Sequence, residues 1–143
     1  MIFDGTYIDK ETEEELVAQL GKPFGLIERF KLGGIDSHRM IIDKSSIGFQ
    51  EIMDHATGAV YGSIERRPKG ILVHFNVKNT RYSWSIPFFK LVFYRTDYFS
   101  IHADGEFLSF RKNSMLDRNK SFLSELMIER NEHMEQFRGG PND

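Results

Sequence analysis

Asp36-Ser37-His38 carries the residue types of a catalytic triad in three consecutive positions. Consecutive residues of an extended chain face opposite ways, whereas a triad needs side chains that converge in space. The run is therefore weak evidence for a nucleophile. The histidines are His38, His55, His74, His102 and His133. No two stand at the i, i+4 spacing of a helical zinc site, and neither a Gly-x-Ser-x-Gly elbow nor a phosphate-cradling loop is present. His74 and His102 both fall on the polar side of their expected strands, with Asp104 close to His102 in sequence. A cross-strand pair is conceivable, but solvated strand histidines are the simpler reading. No catalytic residue, metal ligand or cofactor is assigned.

The cations are more suggestive. Arg66-Arg67-Pro68-Lys69-Gly70 joins two expected strands, so its charges project from one rim. Arginine forks match phosphate oxygens bidentately, and lysine adds a point charge. Arg66, Arg67 and Lys69 are thus the candidate anion-binding residues. Glu65 offsets one of these charges, and a soluble hairpin tip with a turn proline is the competing reading. A second cluster, Arg111, Lys112, Arg118 and Lys120, surrounds the start of the last expected helix. A helix N-terminus with nearby cations can hold an anion, although Asp117 already occupies that first turn. Tyr82, Trp84, Phe88, Phe93 and Tyr98 could line a ligand cavity, but in a small barrel inward aromatics usually fill the interior.

The elements that must position these groups are mostly strands. The 143 residues suit one domain that buries a core without disulfides or metal. A net charge of −2 argues against a nucleic-acid footprint over the whole domain. The absence of cysteine excludes disulfides and thiolate metal sites and fits a reducing compartment. No signal peptide is visible in MIFDGTYIDKETEEE, and no apolar run approaches the ~18 residues of a membrane span. A cytoplasmic protein is expected, not transmembrane. The excess of Phe, Tyr and Trp suits pleated, half-buried strands.

Thr12-Glu13-Glu14-Glu15 has capping-box spacing and opens a short helix carrying Leu16, Val17 and Leu20, stopped by Gly21 and Pro23. Period two then predicts strands over 25–32, 39–43, 47–53 and 59–66, with Thr57-Gly58 as a hairpin turn. The 47–53 strand would place Ile47, Phe49 and Met53 on one side. In 71–77, Ile71, Val73, Phe75 and Val77 alternate with Leu72, His74 and Asn76. Lys78-Asn79-Thr80 turns the chain into YSWSIPFFKL, where Trp84 points inward. Pro87 there cannot donate to a ladder and marks a strand end or bend. Strands follow over 88–95, 98–103 and 106–111, the last two joined by Asp104-Gly105, a strong type I′ turn signal. Ser114-Met115-Leu116-Asp117 is a second capping box. It opens an amphipathic helix of about six turns whose stripe runs through Leu116, Asn119, Leu123, Leu126, Arg130, His133 and Phe137, ended by Gly139-Gly140-Pro141. A flexible tail, 139–143, closes the chain.

Strands without intervening helices, then one long amphipathic helix, indicate an antiparallel barrel or sandwich with the helix over an open end. That order resembles the pleckstrin-homology-like and GRAM domains of bacteria. The resemblance rests on Ser85-Ile86-Pro87-Phe88-Phe89-Lys90-Leu91, on the strand pair from Tyr98 to Phe110, and on the terminal helix from Asn119 to Phe137. It implies a mainly β fold, an antiparallel barrel of about seven strands capped by the C-terminal helix. It places one domain over 1–143, with a lead of 1–45 and a barrel plus helix over 46–138. It also implies that the basic loop of Arg66, Arg67 and Lys69 could meet an anionic lipid headgroup. The function expected is a non-catalytic binding or scaffolding module, its partner a protein, a second copy of itself, or an anionic headgroup. The alternative is a lipocalin-type barrel holding a small molecule among the aromatics. Neither nucleic acid nor a cofactor is expected.

Overall fold

The computed structural model describes residues 1–96 and 98–138. Five helices and eight strands follow one another as β1 (Ile2–Asp4), α1 (Lys10–Leu20), α2 (Leu26–Leu32), β2 (Met40–Ser45), α3 (Ile47–Met53), β3 (Tyr61–Arg67), β4 (Gly70–Val77), β5 (Thr80–Pro87), β6 (Val92–Arg95), β7 (Phe99–Ala103), β8 (Glu106–Phe110), α4 (Ser114–Arg118) and α5 (Lys120–Arg138). The strands form one antiparallel sheet in the order β1-β5-β4-β3-β2-β8-β7-β6. Two meanders, β2 to β5 and β6 to β8, are joined through β2. Met40 and Ile41 pair with β3, while Ile42, Lys44 and Ser45 pair with β8, and the register shifts between Ile42 and Lys44. The division expected after residue 45 falls at the end of this shared strand.

The protein is mainly β with helices, as expected, but the sheet has eight strands and is not closed, because β1 and β6 remain its two edges. Helix α5 covers the place where the chain crosses from β5 to β6. That crossing is a 3₁₀ turn, Phe88–Lys90, which Pro87 introduces at the end of β5 as the proline predicts. Arg130 Nε donates to the Leu91 carbonyl at 2.9 Å, and the Phe88 ring lies 5.4 Å from the His133 imidazole. Leu123 and Leu126 of α5 enter the core beside Trp84, Phe49, Phe99 and Phe110. A smaller cluster on the outer face packs Leu16 and Leu20 of α1 on Leu72 of β4.

Six local expectations are corrected. Residues 25–32 are not a strand: Gly25 N–H donates to Glu28 Oε1, and Gly33 and Gly34, both at positive φ, terminate helix α2. Leu26, Ile27 and Phe30 were there at helical spacing, obscured by the apolar alternation around them. Residues 47–53 are also helical, with Ser46 at the N-cap, so Ile47 turns outward while Phe49 is buried. Thr57-Gly58 therefore joins a helix to a strand. Asp9, not Thr12, caps α1, its carboxylate accepting from Thr12 N–H at 2.8 Å. Asn113, not Ser114, caps α4, and the expected long helix breaks at Asn119 into α4 and α5. Asn119 is buried because its amide donates to the carbonyls of His38 and Met115 and its oxygen accepts from His38 N–H. The expected stop at Gly139-Gly140-Pro141 and the tail lie outside the described residues. Asp104 and Gly105 both adopt positive φ, as their turn requires.

Candidate functional site

Arg66, Arg67 and Lys69 do not converge. Neighbours in a strand point to opposite faces, and β3 carries Arg66 and Arg67 as neighbours. Arg66 is 3% exposed under α5, where it pairs with Glu125 at 3.5 Å and with Glu129, and its guanidinium lies 5.8 Å from the Phe122 ring centroid. Arg67 turns to the other face, donating from Nε to Glu65 at 2.6 Å and from Nη1 to the Gly21 carbonyl at 3.0 Å. Lys69 alone is exposed. Both arginines are held by the fold's own carboxylates and carbonyls.

His74 and His102 are separated in the sheet by β3, β2 and β8 and form no pair. Asp36-Ser37-His38 forms no triad either: Ser37 Oγ accepts from Ile64 N–H at 2.8 Å, and the His38 backbone is bound to Asn119. A different serine-histidine-acid chain does assemble. Register places His74 opposite Ser83, with Nδ1 2.8 Å from Ser83 Oγ, and Nε2 lies 3.2 Å from Glu65 Oε1. Burial alone would raise the Glu65 carboxyl. Hydrogen bonds and charge from His74 and Arg67 outweigh it and bring the group down to about 2. A carboxylate only accepts, so Nε2 carries a proton toward Glu65, and Nδ1 shares a hydrogen bond with the Ser83 hydroxyl. Ser83 Oγ is nevertheless covered: a Cβ built on Gly5 would stand 2.4 Å from it. An acyl group has no room there, so the chain acts as a clamp across β3, β4 and β5.

Cations do converge elsewhere, and half of the second expected cluster takes part. A pocket of about 230 Å³ opens between the β6–β7 turn and the α4–α5 pair, with Arg95, Lys112 and Lys120 on its rim and Phe99, Leu116 and Leu123 on its floor. Thr96, Tyr98 and Asp117 complete its lining. Asn113 capping α4 and the break at Asn119 turn Leu116 and Lys120 toward the pocket. Asp117 reaches Lys120 at 3.8 Å, and Arg95 Nη1 donates to Ser124 Oγ at 3.4 Å. Of the remaining expected residues, Arg111 pairs with Asp43 at 3.7 Å and Arg118 is exposed away from the rim. Sequence reasoning missed Arg95. The signal was its place at the end of β6, on the hairpin turn whose strands return beside the final helices.

No protein-family model, no curated protein and no solved structure matches the chain in comparisons with known proteins. Among the described residues no helix is long and apolar enough to cross a membrane, and no cluster of three or more His, Asp or Glu side chains could hold a metal ion.

Proposed function

We propose that the protein is a non-catalytic binding module of pleckstrin-homology-like build that takes an anionic group in the pocket rimmed by Arg95, Lys112 and Lys120. The observation that carries this role is the convergence of three cations from three separate elements over an apolar floor. Arginine and lysine there offer a fork and two point charges, and Phe99, Leu116 and Leu123 offer contact to a compact apolar body. A ligand with a phosphate or carboxylate head and a small ring or aliphatic group fits that chemistry, whether it is presented by a protein partner or by a headgroup. Support for the build comes from seven strands and a following helix once the short β1 is set aside, the order that the resemblance implies.

A lipocalin-type carrier would need an apolar cavity among the aromatics. Trp84 and Phe88 are instead fully packed, with the Phe49 and Trp84 rings 5.0 Å apart edge to face, and Tyr82 and Phe93 pack against the same core. That alternative gains nothing from the structure.

Titration of the protein with phenyl phosphate and with inorganic phosphate, followed by thermal melting and by amide NMR shifts, tests the proposal. Phenyl phosphate should raise Tm and shift the amides of residues 95–99 and 112–123, and inorganic phosphate should do so more weakly. Charge reversal in a Lys112→Glu, Lys120→Glu double variant should abolish both effects. Shifts scattered over the surface, or an unchanged response in the double variant, would overturn the assignment.

A further inference from the structure

Helix α2 is built to be seen from outside. It buries none of its residues, and Leu26, Ile27 and Phe30 are 84%, 74% and 89% exposed. Large apolar side chains standing singly on a surface need no explanation, but three together on one short element do. The helix is held by its ends: Gly25 N–H donates to Glu28, Gly33 N–H to the Phe30 carbonyl, and Gly34 N–H to the Arg29 carbonyl.

Its charges follow a pattern. At 3.6 residues per turn, Leu26, Ile27 and Phe30 share an arc of about 100°. Arg29 and Lys31 flank that arc, one on each side, while Glu28 and Leu32 fall opposite. Leu32 is half-buried, and Lys31 and Leu32 share a groove with Arg66, Glu125, Ile128 and Glu129 of the body. Arg29 Nε is anchored on the Phe24 carbonyl at 3.0 Å, and Lys22 precedes the helix. Segment 22–32 thus holds three cations and one carboxylate in a chain of net charge −2, and its one carboxylate is turned back as a cap.

We infer that α2 is a membrane-docking element that lays Leu26, Ile27 and Phe30 into the interface of an anionic bilayer, with Lys22, Arg29 and Lys31 at the headgroups. An apolar arc flanked by cations is the pattern of helices that lie in the plane of such an interface, because long cationic stems reach up to the phosphates while the apolar face enters the acyl boundary. A stable protein contact takes about 800 Å² from each partner, and a two-turn helix supplies only a fraction of that. A bilayer asks only for a shallow, cation-edged apolar arc. This docking is independent of the pocket at Lys112 and Lys120, which lies against other residues of the fold.

Co-sedimentation of the full chain with phosphatidylcholine vesicles, with and without phosphatidylserine, tests the inference. The protein should pellet only with phosphatidylserine present, and added salt should release it. An Ile27→Asp, Phe30→Asp variant should stay in the supernatant, and Arg29→Glu, Lys31→Glu should weaken binding at least tenfold. Circular dichroism should show both variants folded, since Ile27, Arg29, Phe30 and Lys31 are all exposed. The Lys112→Glu, Lys120→Glu variant should still pellet, so this docking and the pocket fail separately. No pelleting with phosphatidylserine, or pelleting unaffected by the α2 variants, would overturn the inference. So would a wild-type dimer in light scattering that Phe30→Asp converts to monomer while vesicle binding is unchanged, because α2 would then dock protein.

Discussion

Glu65 is held ionised by the two donors that meet it, and acid should expose the cost of losing them. Its carboxyl titrates near 4.5 in an unfolded chain and about 2 in the fold, so the folded state binds fewer protons between those values. The stabilisation is complete above pH 4.5 and is lost as pH falls toward 2, an amount of about 3 kcal/mol. Denaturant midpoints measured between pH 5 and pH 2.5 should fall steeply in the wild type. They should fall less in Glu65→Gln, and equal slopes would show that Glu65 is not the group responsible. Arg66 makes a second case. Arg66 is buried but its partners Glu125 and Glu129 reach solvent, so Arg66→Ala leaves no sealed charge behind and should lower stability by about 1–3 kcal/mol through lost charge-assisted hydrogen bonds. It should leave phenyl phosphate binding untouched, as calorimetry would show. A loss of ligand binding without a loss of stability would instead restore Arg66 to an anion site.

At the scale of elements, Asn119 decides how the C-terminal helices lie. Asn119→Leu would leave the His38 backbone groups without their side-chain partners, which should cost about 1–3 kcal/mol in thermal unfolding. A neutral result would mean that the break between α4 and α5 is set elsewhere. Asn119 also shows why part of the structure was legible and part was not. It stood in the apolar stripe of one continuous helix, because spacing reports which face is buried and not whether a buried amide has found backbone partners. The strands 71–77, 98–103 and 106–111 were readable because alternation and the Asp104-Gly105 turn agreed with each other. α2 and α3 were misread because seven residues are too few to separate a period of 3.6 from a period of 2 when most are apolar. Arg66 and Arg67 looked like a site because their strand was readable while their distant partners, Glu125 and Glu129 for Arg66 and the Gly21 carbonyl for Arg67, were not yet opposite them. Lys112 and Lys120 were visible, but Arg95 could join them only once register brought the β6–β7 turn alongside.

The whole molecule hangs on one core that spans both meanders. Trp84 and Phe75 of the first pack in the same cluster as Phe99, Ile101 and Leu108 of the second. Unfolding should therefore be a single transition, with Trp84 fluorescence and far-UV circular dichroism giving the same midpoint in denaturant. Two separated midpoints would mean that the meanders unfold independently. The strand they share has a further consequence, for the order in which the chain acquires structure. β3, β4 and β5 are consecutive hairpins and can zip locally. The contact of Ile42 with Phe110, by contrast, joins residues nearly half the chain apart. Closing so long a loop must be met by entropy before any reward. During synthesis the half of β2 that faces β8 waits unpaired until residue 110 has emerged, and that waiting edge, rather than either edge of the finished sheet, is where a nascent chain is most open to pairing with a neighbour.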